Sequence, residues 1–399
     1  MEIRSMKPDD RDALARMLRL AFGGDERWSR EYFDPEKNAR LDPDQVLVAD
    51  ENGEVRASTT VLPMEVFVDG TPAPMGGIAA VTTDPAYRRR GYARRLLEAN
   101  LRDMRRRETH LSMLDPFSHA FYRASGWETA SDSILYSLSP KKLPTGDEQR
   151  HIRAYREKDA ARVREILIEK AARHQACVRR SEGRWRQILG AGGGKRVKEN
   201  EVVVFAPGGD GVEGYAMYSI ENRDGGEEPT RTLHVRELIG RTREAREGLV
   251  SFLAAFDPEE FEVSIRTPRS EPLHPYLKDS FVKAEVQPGL MLRLVDVEGA
   301  LGYLERSLAE PLVLEIEDHV IPENNGGFTV GDGEVRRGAN AGRRVRLDVR
   351  QLSRLYAGYL PARALAGHGL ISPDSEAALT LLEEYFPVLD PFVFPVDHF

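Results

Sequence analysis

In the segment Val81-Thr82-Thr83-Asp84-Pro85-Ala86-Tyr87-Arg88-Arg89-Arg90-Gly91-Tyr92-Ala93 an apolar strand feeds an arginine-bearing loop that opens at once into a helix. The spacing Arg88-x-x-Gly91-x-Ala93 puts small residues where backbone amides must come close to a ligand. The helix N-terminus adds partial positive charge, so the loop suits a pyrophosphate. It is neither a Walker loop nor a Gly-x-Gly-x-x-Gly turn, so kinase and dehydrogenase readings lose support. A plainer reading is an arginine-rich solvated helix start, because Arg94, Arg95, Arg102, Arg105, Arg106 and Arg107 prolong the run. That reading leaves the strand, the glycine and the alanine together unexplained. RNA binding by the same arginines conflicts with net acidity and with the lack of an aromatic platform.

The elements that must hold this loop follow from periodicity. Ala93, Leu97, Leu101 and Met104 share one face and predict a long helix from about Gly91, followed by a strand near Leu111 to Leu114. Upstream, Gln45 to Ala49 and Arg56 to Leu62 read as strands around the turn Asn52-Gly53, and Met64 to Val68 and Gly77 to Thr82 continue the sheet. A faint repeat suggests that the unit occurs twice. Ile3-Arg4-Ser5-Met6-Lys7-Pro8-Asp9-Asp10 precedes the helical stripe Leu14, Met17, Leu18 and Ala21. Ile152-Arg153-Ala154-Tyr155-Arg156-Glu157-Lys158-Asp159 precedes Val163, Ile166, Leu167 and Ala171. The second copy goes on through strands at Val202 to Phe205, Gly214 to Ile220 and Thr232 to Ile239, then a helix with Leu249, Phe252, Leu253 and Phe256.

The strand-like Ser133 to Leu138 followed by the polar, proline-bearing stretch Pro140 to Asp147 places the first boundary near residue 145. From about residue 290 the texture changes. Leu312, Leu314 and Ile316 alternate with polar neighbours, and residues 326–333 read as a strand and tight turn. One helix carries Leu352, Leu355, Tyr356 and Tyr359, and another opens at Ser372-Pro373-Asp374, an N-cap with proline at the first helical position. The expected domains are 1–145, 146–289 and 290–399, in an α/β (α+β) fold class. The last residues are unusual: Pro387, Pro391 and Pro395 forbid a helix, while Phe392, Phe394, Val396 and Phe399 make the tail apolar, as if built to dock.

With 57 Lys and Arg against 65 Asp and Glu in 399 residues, the net charge is −8, and no general basic surface recruits nucleic acid or anionic membrane. The single cysteine, Cys177, excludes an intrachain disulfide and a multi-cysteine zinc site, and it reads as a small core residue. No signal core opens the chain, and the uncharged run Gly70 to Thr83 is too short to span a bilayer. A soluble, cytoplasmic protein without a metal is expected.

Arg88-x-x-Gly91-x-Ala93 after a strand resembles the acetyl-CoA loop of the GNAT acetyltransferases. Two tandem GNAT-like halves, a sterol-carrier-like C-terminal domain and an aromatic C-terminus together resemble the Eis (enhanced intracellular survival) family, over nearly the whole chain. The resemblance implies transfer of acetyl from acetyl-CoA to amines of aminoglycosides, and a homo-oligomer, often a hexamer. By motif, the backbone of Val81, Thr82 and Thr83 would meet the pantetheine and acetyl end. Arg89, Arg90, Gly91, Tyr92, Ala93 and Arg94 would surround the pyrophosphate with Arg88 nearby, and Phe117 and Ser118 would add a further contact. In the second half, Ile239-Gly240-Arg241-Thr242-Arg243-Glu244-Ala245 keeps one glycine but not the spacing, so one acetyl-CoA site per chain is expected.

Acetyl transfer to an amine needs a neutral amine, a polarised thioester carbonyl, their meeting, and a proton for the departing thiolate. Backbone N–H groups around Val81 to Thr83 can polarise the carbonyl. The resemblance makes Tyr122 the acid, with His119 as competitor, and the free carboxylate of Phe399 the base, with Asp397 and His398 as alternatives. Asp25 and Glu26 fall where the family has a mobile substrate loop, and their charge suits a polyamine. Transfer would be direct, since Cys177 lies outside the expected cofactor domain. Two rivals remain: an acetyltransferase of protein lysines or N-termini, and a lipid carrier with a vestigial transferase.

Overall fold

Arg4 donates from both terminal nitrogens to Asp10, at 2.7 and 3.1 Å, and Arg153 does the same to Asp159, at 2.7 and 2.9 Å. Each aspartate also accepts the backbone amide three residues before it, from Lys7 and from Arg156. The repeat in the sequence is therefore a repeat of bonds, in which a strand arginine ties down the turn that starts a helix. The structure is a computed structural model and describes residues 1–189, 200–209, 211–223, 229–279, 281–338 and 342–399.

The chain begins with β1 (Glu2–Ser5), α1 (Arg11–Phe22), α2 (Glu26–Tyr32), β2 (Val46–Glu51), β3 (Glu54–Val68), β4 (Thr71–Thr83), α3 (Tyr92–Arg106), β5 (Leu111–Leu114), α4 (His119–Arg123) and β6 (Glu128–Thr129). It continues with β7 (Asp132–Leu138), β8 (Ile152–Ala154), α5 (Ala160–Ala171), β9 (Val178–Arg179), α6 (Glu182–Leu189), β10 (Glu201–Phe205), β11 (Gly214–Asn222), β12 (Arg231–Gly240), α7 (Arg243–Ala254), β13 (Phe261–Thr267) and β14 (Lys283–Pro288). The remainder holds β15 (Met291–Leu294), α8 (Val297–Leu301), β16 (Ser307–Glu317), β17 (Gly326–Asp332), β18 (Arg336–Arg337), β19 (Arg343–Asp348), α9 (Val349–Tyr356), α10 (Ala362–Gly367), β20 (Ile371–Pro373) and α11 (Glu376–Tyr385). Asn52 and Gly53, both left-handed at φ 58° and 83°, make the tight β2–β3 hairpin. Met64 to Val68 is the far end of β3 and not a separate strand.

Two compact units result, one of residues 1–131, 290–389 and Phe399, the other of 132–289 and 390–398. The first unit contains a sheet in the order β1-β2-β3-β4-β5-β15-β6 and another in the order β18-β17-β16-β19-β20; the second contains β14-β7-β13-β12-β11-β10-β8. α3 packs Leu97, Leu101 and Met104 into a core with Val61, Ile78, Leu114 and Trp127.

Strand pairing crosses the boundaries expected from the sequence. β7, expected to close the first domain, pairs with β13 and β14 of the second unit. Tyr136, Leu138 and Leu143 are buried in the second unit's core, so the polar stretch after β7 is anchored there and is no free linker. β15, expected to open the third domain, fills the first sheet between β5 and β6. The tail up to His398, assigned by sequence to the third domain, belongs to the second unit. A further correction concerns Ser372-Pro373: these residues lie in β20, pairing with β19, and Ser375 caps α11 by accepting from the Ala378 amide. Leu312, Leu314 and Ile316 of β16 are buried as their alternation predicts, and Val313 is buried as well.

Candidate functional site

β4 and β5 run parallel, in register from Met75 opposite Leu111 to Ile78 opposite Leu114. β4 then continues through Ala79 to Thr83, whereas β5 stops. Past Ile78 the parallel pairing ends, and the chain leaves β5 through Asp115 to Ser118 to enter α4. On the other edge of β4, Thr60 pairs with Ala79 and Ser58 with Thr82, so Thr59 faces both Ala80 and Val81. Ala80 takes a left-handed φ of 47°. Such a bulge breaks the ladder and frees backbone groups to face a ligand. It is held from behind: the Ser58 and Thr82 hydroxyls lie 2.8 Å apart, and the buried Asn100 of α3 donates to the Thr59 hydroxyl at 2.7 Å. Nothing in the residue pattern of β4 marks this bulge.

The loop after β4 ends at Gly91, whose φ of 79° is the left-handed conformation glycine favours. Gly91 stands at the N-cap and makes no side-chain cap bond, so among the described residues the amides of the first turn of α3 are open to an outside acceptor. Arg88, Arg89, Arg90 and Arg94 are exposed around it, Arg89 itself left-handed at φ 63°. Arg90 lies over the Tyr87 ring at 4.7 Å, and Arg56 lies over the same ring at 4.0 Å. Tyr87 thereby steadies Arg90 through a cation–π contact. Arg94 pairs with Glu98. Tyr92 is buried and Ala93 half-buried, so each has chiefly its backbone to offer at this turn.

Past β5, Ser118 caps α4 by accepting the Phe121 amide. Phe117 is 68% exposed, and its ring lies 5.3 Å from both Phe121 and Tyr122. Tyr122 is buried, edge-on to Trp127. Burial, reinforced by the nearby Asp115 charge, pushes its phenol well above the usual tyrosine value, so it stays protonated. Phe399 belongs to the same unit: its ring lies against Gly77, next to Ile78 on β4. A glycine within a strand is the signal that marks such a close approach.

Other expected residues have different employment. Asp397 is buried and accepts from Arg180 at 2.7 to 3.0 Å, which removes it as an exposed base. Asp25 caps α2 through the Trp28 amide, and Glu26 pairs with Arg30 one turn on, so both serve their own helix. Cys177 is fully buried in the second unit, and burial pushes its thiol up, which makes it a poor nucleophile. In that unit only Arg241 and Thr242 separate β12 from α7, and a Cβ on Gly240 would come within 2.6 Å of the Arg246 amide nitrogen. The first unit's long loop is replaced there by a closed turn.

A broken ladder, an uncapped helix start, left-handed Gly91 and exposed arginines fit a long thioester whose diphosphate meets the loop and whose acyl end meets the bulge. Residues 2–130 and residues 176–294 each match an acetyltransferase (GNAT) domain family, and residues 297–393 match the sterol carrier protein domain family. The chain therefore carries two acetyltransferase domains of the GNAT type with a sterol carrier protein domain behind them. An uncharacterized N-acetyltransferase of Streptomyces coelicolor is 23% identical over 393 residues, 95% of each chain. A GCN5-related N-acetyltransferase from Kribbella flavida superposes with a TM-score of 0.81 at 24% identity, covering 100% of this chain and 98% of that one. Eis1 from Mycobacterium abscessus superposes with a TM-score of 0.78 at 22% identity, covering all of both chains. These likenesses establish the fold over the full length. Among the described residues no helix is long and apolar enough to cross a membrane.

Proposed function

We propose that the chain moves acetyl from acetyl-CoA directly to an amine of a multi-amine small molecule, with aminoglycosides as the substrate class and Phe399 as the base. The observation that carries this reading is the place of the last residue: its ring lies on Gly77, three positions before the bulge residue Ala80. The aminoglycoside class comes from the Eis resemblance, as does assembly into a hexamer.

Acetyl-CoA supplies the activated acetyl group. Arg88, Arg89, Arg90 and Arg94, with the amides of Gly91, Tyr92 and Ala93, would hold its diphosphate, and Phe117 and Ser118 would border the arm. Amides at the bulge, from Val81 to Thr83, would donate to the carbonyl oxygen as charge develops there. The Phe399 carboxylate would first take a proton from the substrate ammonium and pass it to solvent, and would accept a second as the neutral amine attacks the carbonyl carbon and the C–N bond forms. As the C–S bond breaks, the Tyr122 phenol would give its proton to the sulfur, and solvent would return the proton from Phe399 to Tyr122. Asp25 and Glu26 would add negative charge for a polyamine.

The test is acetyl-CoA turnover with a panel of aminoglycosides and simple polyamines, comparing the chain ending at Phe399 with one extended by a short C-terminal tag. Turnover that collapses only in the tagged, still folded protein supports both the reaction and the base. Equal turnover moves the base elsewhere. Acetyl-CoA binding without turnover in either directs the search to protein amines.

A further inference from the structure

The second acetyltransferase domain repeats the geometry of the first and fills it differently. β12 and β13 run parallel from Arg231 opposite Phe261 to Val235 opposite Ile265, and β12 then continues to Gly240. Against β11, Tyr218 pairs with Val235 and Met217 with Glu237, which leaves Arg236 as the extra residue of a bulge. This is the same order as in β4: parallel pairing ends, then the bulge, then a free edge. The wedge past Val235 and Ile265 is walled by Arg236, Glu237 and Leu238 on one side and by Arg266, Thr267 and Pro268 on the other. Phe392 and Phe394 also line this cavity, 3% and 6% exposed, their rings 5.1 Å apart.

The tail is fixed on both sides of these rings. Before them, the Asp390 carboxylate accepts from the Ser270 amide, and the Asp390 carbonyl lies 2.9 Å from His174 Nδ1. After them, Arg184 donates to the Val396 carbonyl, and Arg180 forks onto Asp397. Arg180 also pairs with Glu237, the first residue past the bulge, and Glu237 accepts from the Tyr215 hydroxyl at 2.6 Å. The side chains of Arg180, Glu237 and Asp397 are 0, 0 and 1% exposed. A buried charge triad is a poor source of net stability, and its best-attested use is to fix one arrangement among several.

We propose that the second acetyltransferase domain is a holder for the chain's own C-terminus, its wedge occupied by Phe392 and Phe394 where an acyl-carrying arm would run, with Arg180 as a positioning residue for the Phe399 carboxylate. This rests on the reading of Phe399 as the base. Phe399 stands two positions after Asp397, a reach of about 7 Å of extended chain, so the clamp confines the carboxylate to that radius. Proton transfer needs placement to well under that distance, so loosening the clamp costs rate more than substrate binding.

The experiment uses the full chain and two variants: Asp397→Asn, which keeps the shape but halves the charge facing Arg180, and Phe394→Ala, which empties the wedge and leaves the triad paired. A chain lacking Phe399 is the reference. Release of Phe399 by carboxypeptidase reads the position of the tail without any substrate, and steady-state kinetics read kcat and the acetyl-CoA KM. The expected result is at least tenfold faster release in both variants, a kcat lowered about tenfold or more, and an acetyl-CoA KM within twofold of the parent. Unchanged release rates overturn the holder, as does a fall in kcat with the tail still protected. If Asp397→Asn does not fold, Phe394→Ala decides alone. Full activity in the chain lacking Phe399 overturns the base and the positioning role together, while the release rates still decide whether the wedge holds the tail.

Discussion

The Phe399 ring stands so close over Gly77 that a Cβ added there would lie 2.8 Å from its Cε2. The same Cβ would lie 3.0 Å from the Met64 sulfur, so neither side offers room. Gly77 is not in the left-handed region, and its backbone tolerates alanine. Gly77→Ala is therefore a steric probe of the terminal residue. It should lower kcat by about tenfold with the acetyl-CoA KM nearly unchanged, at a stability cost of about 1–3 kcal/mol from overpacking. Steady-state kinetics beside a urea titration separate the two effects, and an unchanged kcat would sink the link between the ring's seat and the reaction.

Tyr122 gives a prediction in pH. Burial and then Asp115 raise its phenol above the ordinary value of 10, so the proton-bearing form persists through the whole assay range. The alkaline side of the kcat profile should show no loss near pH 10 from this group. Tyr122→Phe should lower kcat by about 10²-fold, the usual scale for one general acid. A profile that falls with an ordinary tyrosine value, or a phenylalanine variant with full kcat, would assign the proton to another donor such as His119.

The loop Arg88 to Ala93 was legible because it is contiguous: one short stretch supplies the strand end, the glycine and the helix start. The repeat was legible for the same reason, since Arg4 with Asp10 and Arg153 with Asp159 are six residues apart. What is assembled from distant stretches was not. β7 carries a strand pattern that fits either sheet, and only its pairing with β13 and β14 decides. The bulge at Ala80 leaves no mark because alanine is an unexpected residue for a positive φ. The Ser372-Pro373 helix start was misread because a strand end and an N-cap use the same residues, and Ser375 three positions later is the cap that forms. Arg180 and Glu237 look like ordinary surface charges in sequence, yet they are buried against Asp397.

Arg90 and Gly91 test the diphosphate seat. Arg90 is exposed and stacked on Tyr87, so Arg90→Ala removes a cation at little structural cost. The acetyl-CoA KM should rise about fivefold to tenfold, more at low salt than at high salt, because a solvent-exposed charge is screened. Gly91→Ala meets no atom within 4 Å, but its φ of 79° disfavours a side chain by about 1 kcal/mol. It should also raise the acetyl-CoA KM by tilting the first turn of α3. Isothermal titration with acetyl-CoA at two salt concentrations checks both, and equal binding by either variant would place the diphosphate off this loop.

Asp318 and Arg293 offer a stability test inside the first unit. Both are buried, 2.5 Å apart, and Asp318 also accepts from Asn324 at 2.9 Å and from the Val320 and Ile321 amides. Burial pushes the Asp318 carboxyl up, but the Arg293 charge and these hydrogen bonds outweigh it and hold the value below the ordinary 3.8. A depressed carboxylate stabilises the fold fully above its unfolded value, and that stabilisation is lost as pH falls through the lower folded value. Asp318→Asn leaves Arg293 buried without its counter-charge and should cost about 3–5 kcal/mol at pH 7. Urea unfolding of the parent and the variant at pH 7, 5 and 3 should show the gap constant between the first two and narrower at the third. A gap that stays the same at pH 3 would mean that the carboxylate's charge is not what holds Arg293 in the core.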